Sequence, residues 1–330
     1  MKKFKVFVST YPFGLHDITP RTILENSGIE VLYNPYNRKL KPFETAEFAK
    51  DVDGIIAGTE NLNELIQINT NLKFISRVGI GLDSVPLKLC REKNIPVSYT
   101  PDAVTMAVAE LTIGLMISTT RSVHIADREI RNGKWTRFTG IRLGESNIGV
   151  IGAGRVGSNV IRLLSEFKPK NIFIHDIIDK KNEIRSILEN KNINYSFVGK
   201  DDVLNMSNIV TLHIPLNKRN KDFIKKEDFQ KMQKDSFLIN TSRGGIVNEE
   251  DLYIALKESV ISGAAIDVFE NEPYHGKLKD LQNILLTEHM GSCSFDCRLK
   301  METEAAEEIV RFINGKEQKS PVPTEEYDID

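Results

Sequence analysis

The chain is predicted to be an α/β protein with two parallel sheets, on three observations. Short β-branched or apolar runs alternate with longer amphipathic stretches along most of its length. A second such series begins at Asn147. A glycine pattern in that series sits between a strand-like run and a helix-like run. Strand and helix alternating in this way imply parallel strands covered by helices on both faces. A length of 330 residues suggests about two domains. The 40% hydrophobic content excludes low-complexity disorder, and 21 glycines with three cysteines exclude collagen-like and disulfide-scaffold chains.

In the first series the strand-like runs are Phe4–Ser9, Ile29–Tyr33, Gly54–Ala57, Lys73–Arg77 and Pro96–Tyr99, with helical patterns at Thr19–Ser27 and Ser84–Lys93 between them. Asp102–Thr120 reads as one long helix with Asp102 as N-cap after Thr100-Pro101. It is apolar nearly all round, so it is expected to lie between domains or subunits, and a homodimer follows from that. The second series has strand-like runs at Asn147–Ile151, Asn171–His175, Ile209–Ile214, Ser236–Asn240, Gly263–Val268 and Asn283–Thr287. The charge-dense run Lys225–Asp235, with Phe229 and Met232 three apart, reads as a solvated amphipathic helix, and the acidic tail Thr324–Asp330 as frayed.

Charge narrows the class of partner. With 44 basic and 46 acidic side chains the formal net charge is −2, which gives no global field for nucleic acid or an anionic membrane. The longest apolar-rich stretch, Ala107–Ser118, is broken by Glu110 and Thr112 and is shorter than the ~20 residues a spanning helix needs. The basic, then apolar N-terminus runs out at Val8, and Tyr11-Pro12-Phe13-Gly14 reads as a turn, not a cleavage site. Cys90, Cys293 and Cys297 are odd in number and sparse, which fits a reducing compartment, so the expected location is cytoplasmic.

Gly152-Ala153-Gly154-Arg155-Val156-Gly157 is a G-x-G-x-x-G pattern after Ile148-Gly149-Val150-Ile151 and before the helical pattern Val156–Glu166. That context reads as a dinucleotide loop in a Rossmann unit. Gly152 makes the turn, Gly154 admits a pyrophosphate, Gly157 allows close packing, and the helix N-terminus faces the anion. Asp176 ends the next strand, about twenty residues on, where a carboxylate accepts from a ribose 2′-hydroxyl and repels a 2′-phosphate. No arginine follows; Ile177 and Ile178 do, so NAD is expected over NADP. His175 beside it reads as a strand-end side chain.

Three further strand ends carry reactive residues. Arg243 follows Phe237–Asn240, Glu272 follows Asp267-Val268-Phe269, and His289 follows Ile284–Thr287. Singly, Arg243 or Glu272 reads as a surface ion-pair residue and His289 as a structural histidine. Ligands of open α/β sheets bind outside the carboxyl ends of the strands, so together they suggest a catalytic set beside the nicotinamide. His213, in His213-Ile214-Pro215-Leu216, stands at another strand end.

These motifs, with Arg77-Val78-Gly79-Ile80-Gly81-Leu82-Asp83, Thr100-Pro101-Asp102, Gly133-Lys134-Trp135 and Asn240-Thr241-Ser242-Arg243-Gly244, resemble the D-isomer-specific 2-hydroxyacid dehydrogenases over nearly the whole chain. The first hundred residues look most like the D-3-phosphoglycerate dehydrogenase branch. The resemblance implies a flavodoxin-like substrate domain of residues 1–99 plus 294–330, and a Rossmann NAD-binding domain of residues 100–293, with a 2-hydroxy or 2-keto acid bound in the cleft. It implies His289 as acid and base, Glu272 holding the imidazole and favouring its protonated form, and Arg243 orienting the carboxylate and carbonyl. It further implies NAD contacts at Gly152, Gly154, Arg155, Val156, Gly157, Asp176, Thr241, Ser242, Asp267 (on the carboxamide) and Gly291. Substrate contacts are implied at Arg77, at the backbone N–H groups of Gly79 and Ile80, and at Arg137.

The sequence departs from the pattern in places. Glu288 stands where the family usually has proline, and Ser292-Cys293-Ser294-Phe295-Asp296-Cys297 replaces small residues. His289, Cys293 and Cys297 are four apart and would share a helix face as metal ligands, but the family places His289 on a loop before the helix, so no metal is expected. Cys293 reads as a buried alanine substitute, and Trp135 as an interface or core anchor. At Ala57-Gly58, where some relatives carry arginine, this chain has none. The first expected substrate pair is 3-phosphoglycerate and 3-phosphohydroxypyruvate, with glyoxylate or hydroxypyruvate reduction as the alternative. A NAD(H)-sensing regulatory protein is the rival of another class, and the intact Arg243, Glu272 and His289 set weighs against it.

Overall fold

A computed structural model describes residues 3–328 and divides into two compact units, residues 1–104 with 292–330 and residues 105–291. The resemblance placed these boundaries at 99/100 and 293/294.

The first unit begins with β1 (Lys5–Val8), α1 (Thr19–Asn26), β2 (Glu30–Tyr33), α2 (Pro42–Ala49), β3 (Gly54–Ala57), α3 (Asn63–Ile68), β4 (Phe74–Arg77), α4 (Leu87–Glu92) and β5 (Val97–Tyr99). Its sheet is wholly parallel in the order β2-β1-β3-β4-β5, the flavodoxin-like order. Every residue of β3, β4 and β5 is buried, as expected of strands covered on both faces.

The second unit contains α5 (Thr105–Thr120), α6 (Val123–Arg131), β6 (Asn147–Ile151), α7 (Arg155–Phe167), β7 (Asn171–His175), α8 (Lys181–Leu188), β8 (Tyr195–Phe197), α9 (Lys200–Met206), β9 (Ile209–Leu212), α10 (Lys226–Phe229), β10 (Phe237–Asn240), α11 (Glu249–Lys257), β11 (Gly263–Ile266) and β12 (Ile284–Leu286). Its parallel sheet runs β12-β11-β10-β9-β6-β7-β8, so the order reverses between β6 and β9. This is the doubly wound arrangement that opens a ligand crevice at the carboxyl ends of those two strands. The chain then returns to the first unit as α12 (Phe295–Ile313). There Phe312 stacks on buried Phe74 at 4.5 Å, and the Ser76 hydroxyl donates to the Ala305 carbonyl.

Several expectations change. Helix α5 starts at Thr105, so Asp102 lies in the preceding turn and is not its N-cap. The second unit's own core takes up Ala109, Ile113, Leu115 and Met116 with Val160, Ile161 and Leu164, which accounts for much of the helix's apolar character. Only Lys226–Phe229 of the charge-dense run is helical, and Phe229 and Met232 are core residues rather than one face of a solvated helix. The tail is ordered through Asp328: Tyr99 N–H donates to the Ser320 carbonyl, Val322 N–H to the Val97 carbonyl, and Arg91 lies over the Tyr327 ring. Ile329 and Asp330 lie outside the described residues. Cys293 is exposed and Cys297 is the buried one, its thiol pushed up to about 11 by burial. Since α12 begins at Phe295, His289 and Cys293 precede it and share no helix face with Cys297. Trp135 is 81% exposed and anchors no core. Among the described residues no helix is long and apolar enough to cross a membrane.

Phe74 is fully buried between the first sheet and α12. Phe74→Ala is expected to cost roughly 3–5 kcal/mol of first-unit stability, by loss of apolar burial plus the cavity left behind. Urea unfolding checks this, and a loss below about 1 kcal/mol would mean that α12 does not close this core.

Candidate active site

The glycine loop is built as its spacing demands. Gly152 has φ +93°, and a Cβ there would sit 2.4 Å from the His213 carbonyl oxygen. At Gly157 a Cβ would lie 1.9 Å from the Gly152 oxygen, so α7 can approach the loop only without a side chain. Gly154 differs, because nothing lies within 4 Å of its missing Cβ. The protein leaves space there, as a pyrophosphate-binding loop requires, and no side chain caps the helix end that follows. These features fit a dinucleotide phosphate.

Asp176 is tied into the same loop. Its Oδ2 accepts from Ala153 N–H at 2.7 Å and its Oδ1 from Ile178 N–H at 2.8 Å, bonds the sequence did not reveal. A carboxylate has about four acceptor positions. These two bonds therefore orient Asp176 and leave it capacity for a ribose hydroxyl. Ile177 is 92% exposed, and no cation follows Asp176 in the chain until Lys180. His175 Nδ1 lies 3.2 Å from the Val198 carbonyl oxygen, a strand-end contact. His213 is partly buried; desolvation pushes its pKa down to about 3, so it is a neutral ring, with Nε2 3.0 Å from Thr211 Oγ1.

Arg243, Glu272 and His289 stand after β10, β11 and β12, three neighbouring parallel strands. His289 Nδ1 lies 2.9 and 3.0 Å from the two Glu272 carboxylate oxygens, and Glu272 Oε1 also accepts from Phe269 N–H at 3.1 Å. With Nδ1 facing the carboxylate, Nε2 is the ring nitrogen left for proton exchange. His289 has φ +51°, an uncommon conformation for a non-glycine residue, and its N–H donates to the Asp267 carbonyl at 2.8 Å.

Asp267 organises this turn. Fully buried, its carboxylate accepts from the Thr287 hydroxyl at 2.6 Å, Met290 N–H at 2.9 Å and Gly291 N–H at 3.0 Å. Burial pushes its carboxyl above the usual range, while those donors pull the other way. The resemblance assigned Asp267 a cofactor contact; its role in shaping the 287–291 turn carried no sequence signal.

Other expected residues are placed less directly. The Arg243 Nη1 donates to the Ser242 carbonyl at 2.7 Å. Thr112 Oγ1 donates to the Val108 carbonyl, so in its 2.8 Å contact with Thr241 Oγ1 the Thr241 hydroxyl is the donor, committed to α5. In the first unit Arg77 ends β4 and is buried, with its Nη1 on the Val78 carbonyl. Gly79 has φ +128°, and its N–H donates to Thr100 Oγ1 at 2.7 Å, which occupies one of the two N–H groups expected to hold a carboxylate. Ile80 follows, partly buried. Arg137 lies in an exposed stretch between α6 and β6, and Glu288 is exposed. Glu60, buried near the end of β3 and accepting from Gly58 N–H at 2.8 Å and from the Ser9 hydroxyl, was not singled out in the sequence.

Comparison with known proteins gives this geometry a family. The sequence profile for the D-isomer specific 2-hydroxyacid dehydrogenase NAD-binding domain matches residues 113–291. A glyoxylate reductase from Thermofilum pendens is 36% identical over 261 residues, which is 77% of this chain and 75% of that one. A D-3-phosphoglycerate dehydrogenase from Methanocaldococcus jannaschii is 34% identical over 281 residues, 83% of this chain, and the match spans about half of that longer protein (52%). Among solved structures, the TT0316 protein of Thermus thermophilus superposes with a TM-score of 0.85 at 27% identity, covering 97% of this chain and 100% of that one. An NADPH-dependent glyoxylate/hydroxypyruvate reductase from Sinorhizobium meliloti, in complex with NADP and malonate, gives 0.80 at 25% identity, covering 97% of each chain. The chain belongs to the D-isomer-specific 2-hydroxyacid dehydrogenases, NAD-dependent oxidoreductases that act on CH–OH donors.

Proposed function

We propose that this enzyme interconverts a D-2-hydroxy acid and its 2-keto acid with His289 as the proton-exchanging group. The observation that carries this reading is the His289 Nδ1–Glu272 pair at 2.9 Å, with Glu272 following β11, the neighbour of the strand whose end bears Arg243. The loop Gly152–Gly157 and Asp176 would hold NAD, which would supply the hydride acceptor or donor. In oxidation His289 Nε2 takes the substrate hydroxyl proton, and in reduction it returns a proton to the carbonyl oxygen. Glu272 holds the ring by Nδ1, which leaves Nε2 for the proton exchange. The planar fork of Arg243 holds the carboxylate and polarises the carbonyl. Arg155, Val156, Ser242 and Gly291 complete the proposed cofactor contacts.

For the substrate, we take 3-phosphoglycerate and 3-phosphohydroxypyruvate first. The support is Arg77 at the β4 end, Arg137, and a relative named as a phosphoglycerate dehydrogenase. A second reading, glyoxylate or hydroxypyruvate reduction, is favoured by the buried Glu60 beside Gly58, where no cation stands, and by a relative named as a glyoxylate reductase. We also infer a cytoplasmic homodimer. Its support is the half-exposed Val123 and Ile130 on α6, with Trp135 beyond them, and three free cysteines.

NADH oxidation followed with 3-phosphohydroxypyruvate, hydroxypyruvate, glyoxylate and pyruvate tests the reading. Turnover is expected with at least one of them, and His289→Ala is expected to lower kcat by roughly 10²–10⁴-fold. Undiminished turnover in that variant would remove His289 from the mechanism, and the ranking of the four acids decides between the two substrate readings. NADH should be preferred to NADPH by about a hundredfold in kcat/KM, because Asp176 would oppose a 2′-phosphate; equal use of both would refute this. Light scattering at micromolar concentration should give twice the 37.3 kDa chain mass, and a monomeric mass would rule out the dimer.

A further inference from the structure

We propose that Asn240 is a positioning residue for the substrate carboxylate, acting through Arg243; this rests on the function proposed above. Asn240 ends β10 with 1% of its surface exposed. A polar side chain so buried must be matched by hydrogen bonds. Its carboxamide makes three, all within the turn that carries Arg243. Oδ1 accepts from Ser242 N–H at 3.1 Å and from the Ser242 hydroxyl at 2.7 Å, while Nδ2 donates to the Arg243 carbonyl at 3.0 Å. A backbone N–H can only donate and a carbonyl only accept, so these partners fix which end of the carboxamide faces which.

The backbone of Asn240 ties the same turn to the neighbouring strand end. Its carbonyl accepts from Asp267 N–H at 2.9 Å, and the Asp267 carbonyl accepts from His289 N–H at 2.8 Å. Beyond Arg243 the chain is gripped again, because a Cβ on Gly244 would lie 2.0 Å from the Phe269 carbonyl group. The Arg243 backbone is therefore held on one side by a carboxamide and on the other by the segment that leads from β11 to Glu272. A long guanidinium side chain orients a ligand only as well as its base is fixed, and a displacement of about 1 Å costs on the order of 10²-fold in rate.

The test compares the whole enzyme with Asn240→Asp and Asn240→Ala. The readouts are KM for the preferred 2-keto acid, the inhibition constant of oxamate (an unreactive keto-acid mimic), NADH affinity by fluorescence and Tm. The Asp variant keeps an acceptor for Ser242 but turns an oxygen toward the Arg243 carbonyl, so it tests the donor separately if the Ala variant fails to fold. Expected in both variants is a rise of about tenfold or more in KM and the oxamate constant; in the Asp variant, which keeps the acceptor for Ser242, NADH affinity stays within about twofold of wild type. A folded Asp variant with unchanged KM and oxamate constant overturns the proposal, even if kcat and Tm fall together. Wild-type enzyme without turnover on any 2-keto acid instead overturns the reading on which the proposal rests, and the proposal with it.

Discussion

The buried carboxylate of Asp267 is the constraint on which the chemistry of the second unit depends. A charge removed from water is costly unless donors surround it, and here a hydroxyl and two backbone N–H groups do so. All three donors belong to the segment 287–291, so satisfying one carboxylate forces that segment into a tight turn. His289 sits in the middle of it with a positive φ, a conformation of higher energy that persists because its surroundings over-determine it. The imidazole is thus aimed by bonds made to its neighbours, and Glu272 needs only to hold the ring.

The glycine loop obeys a different constraint, that of volume. Gly152 and Gly157 are required by protein atoms already within 2.4 Å of where a Cβ would be, whereas Gly154 is required by nothing in the protein. Two glycines therefore fold the loop, and the third keeps room for a ligand. Asp176 joins the two ideas. It accepts from Ala153 N–H inside the loop, so the residue that would meet the ribose also fixes the backbone that would meet the phosphates.

The strand pattern of both sheets was legible because fully covered parallel strands are nearly continuous apolar runs, as Gly54–Ala57 and Asn147–Ile151 are. Strand β8 escaped because it has three residues, partly exposed, with Ser196 at its centre. The glycine loop and the Arg243, Glu272 and His289 positions were legible because motif spacing and strand ends locate them. What the sequence did not disclose are long-range polar bonds. The three turn donors to Asp267, the Asn240 carboxamide at the Arg243 turn and the Thr241–Thr112 contact join residues by geometry, not by periodicity. Burial of individual cysteines was illegible for the same reason: Cys293 and Cys297 are four apart, and only the start of α12 at Phe295 decides which one faces the core.

The discontinuity of the first unit has a consequence for biosynthesis. Its sheet is made within the first hundred residues, yet Phe74 finds its stacking partner only on α12, and β5 stays an open edge until Ser320–Val322 run alongside it. An unpaired edge strand is a template for unwanted pairing with other chains. Emerging from the ribosome before α12, this half-built sheet waits for nearly two hundred intervening residues, which can complete their own parallel sheet from a contiguous stretch of chain. Residues 295–322 therefore seal a sheet built from residues 5–99, which stays exposed to misassembly until they are made.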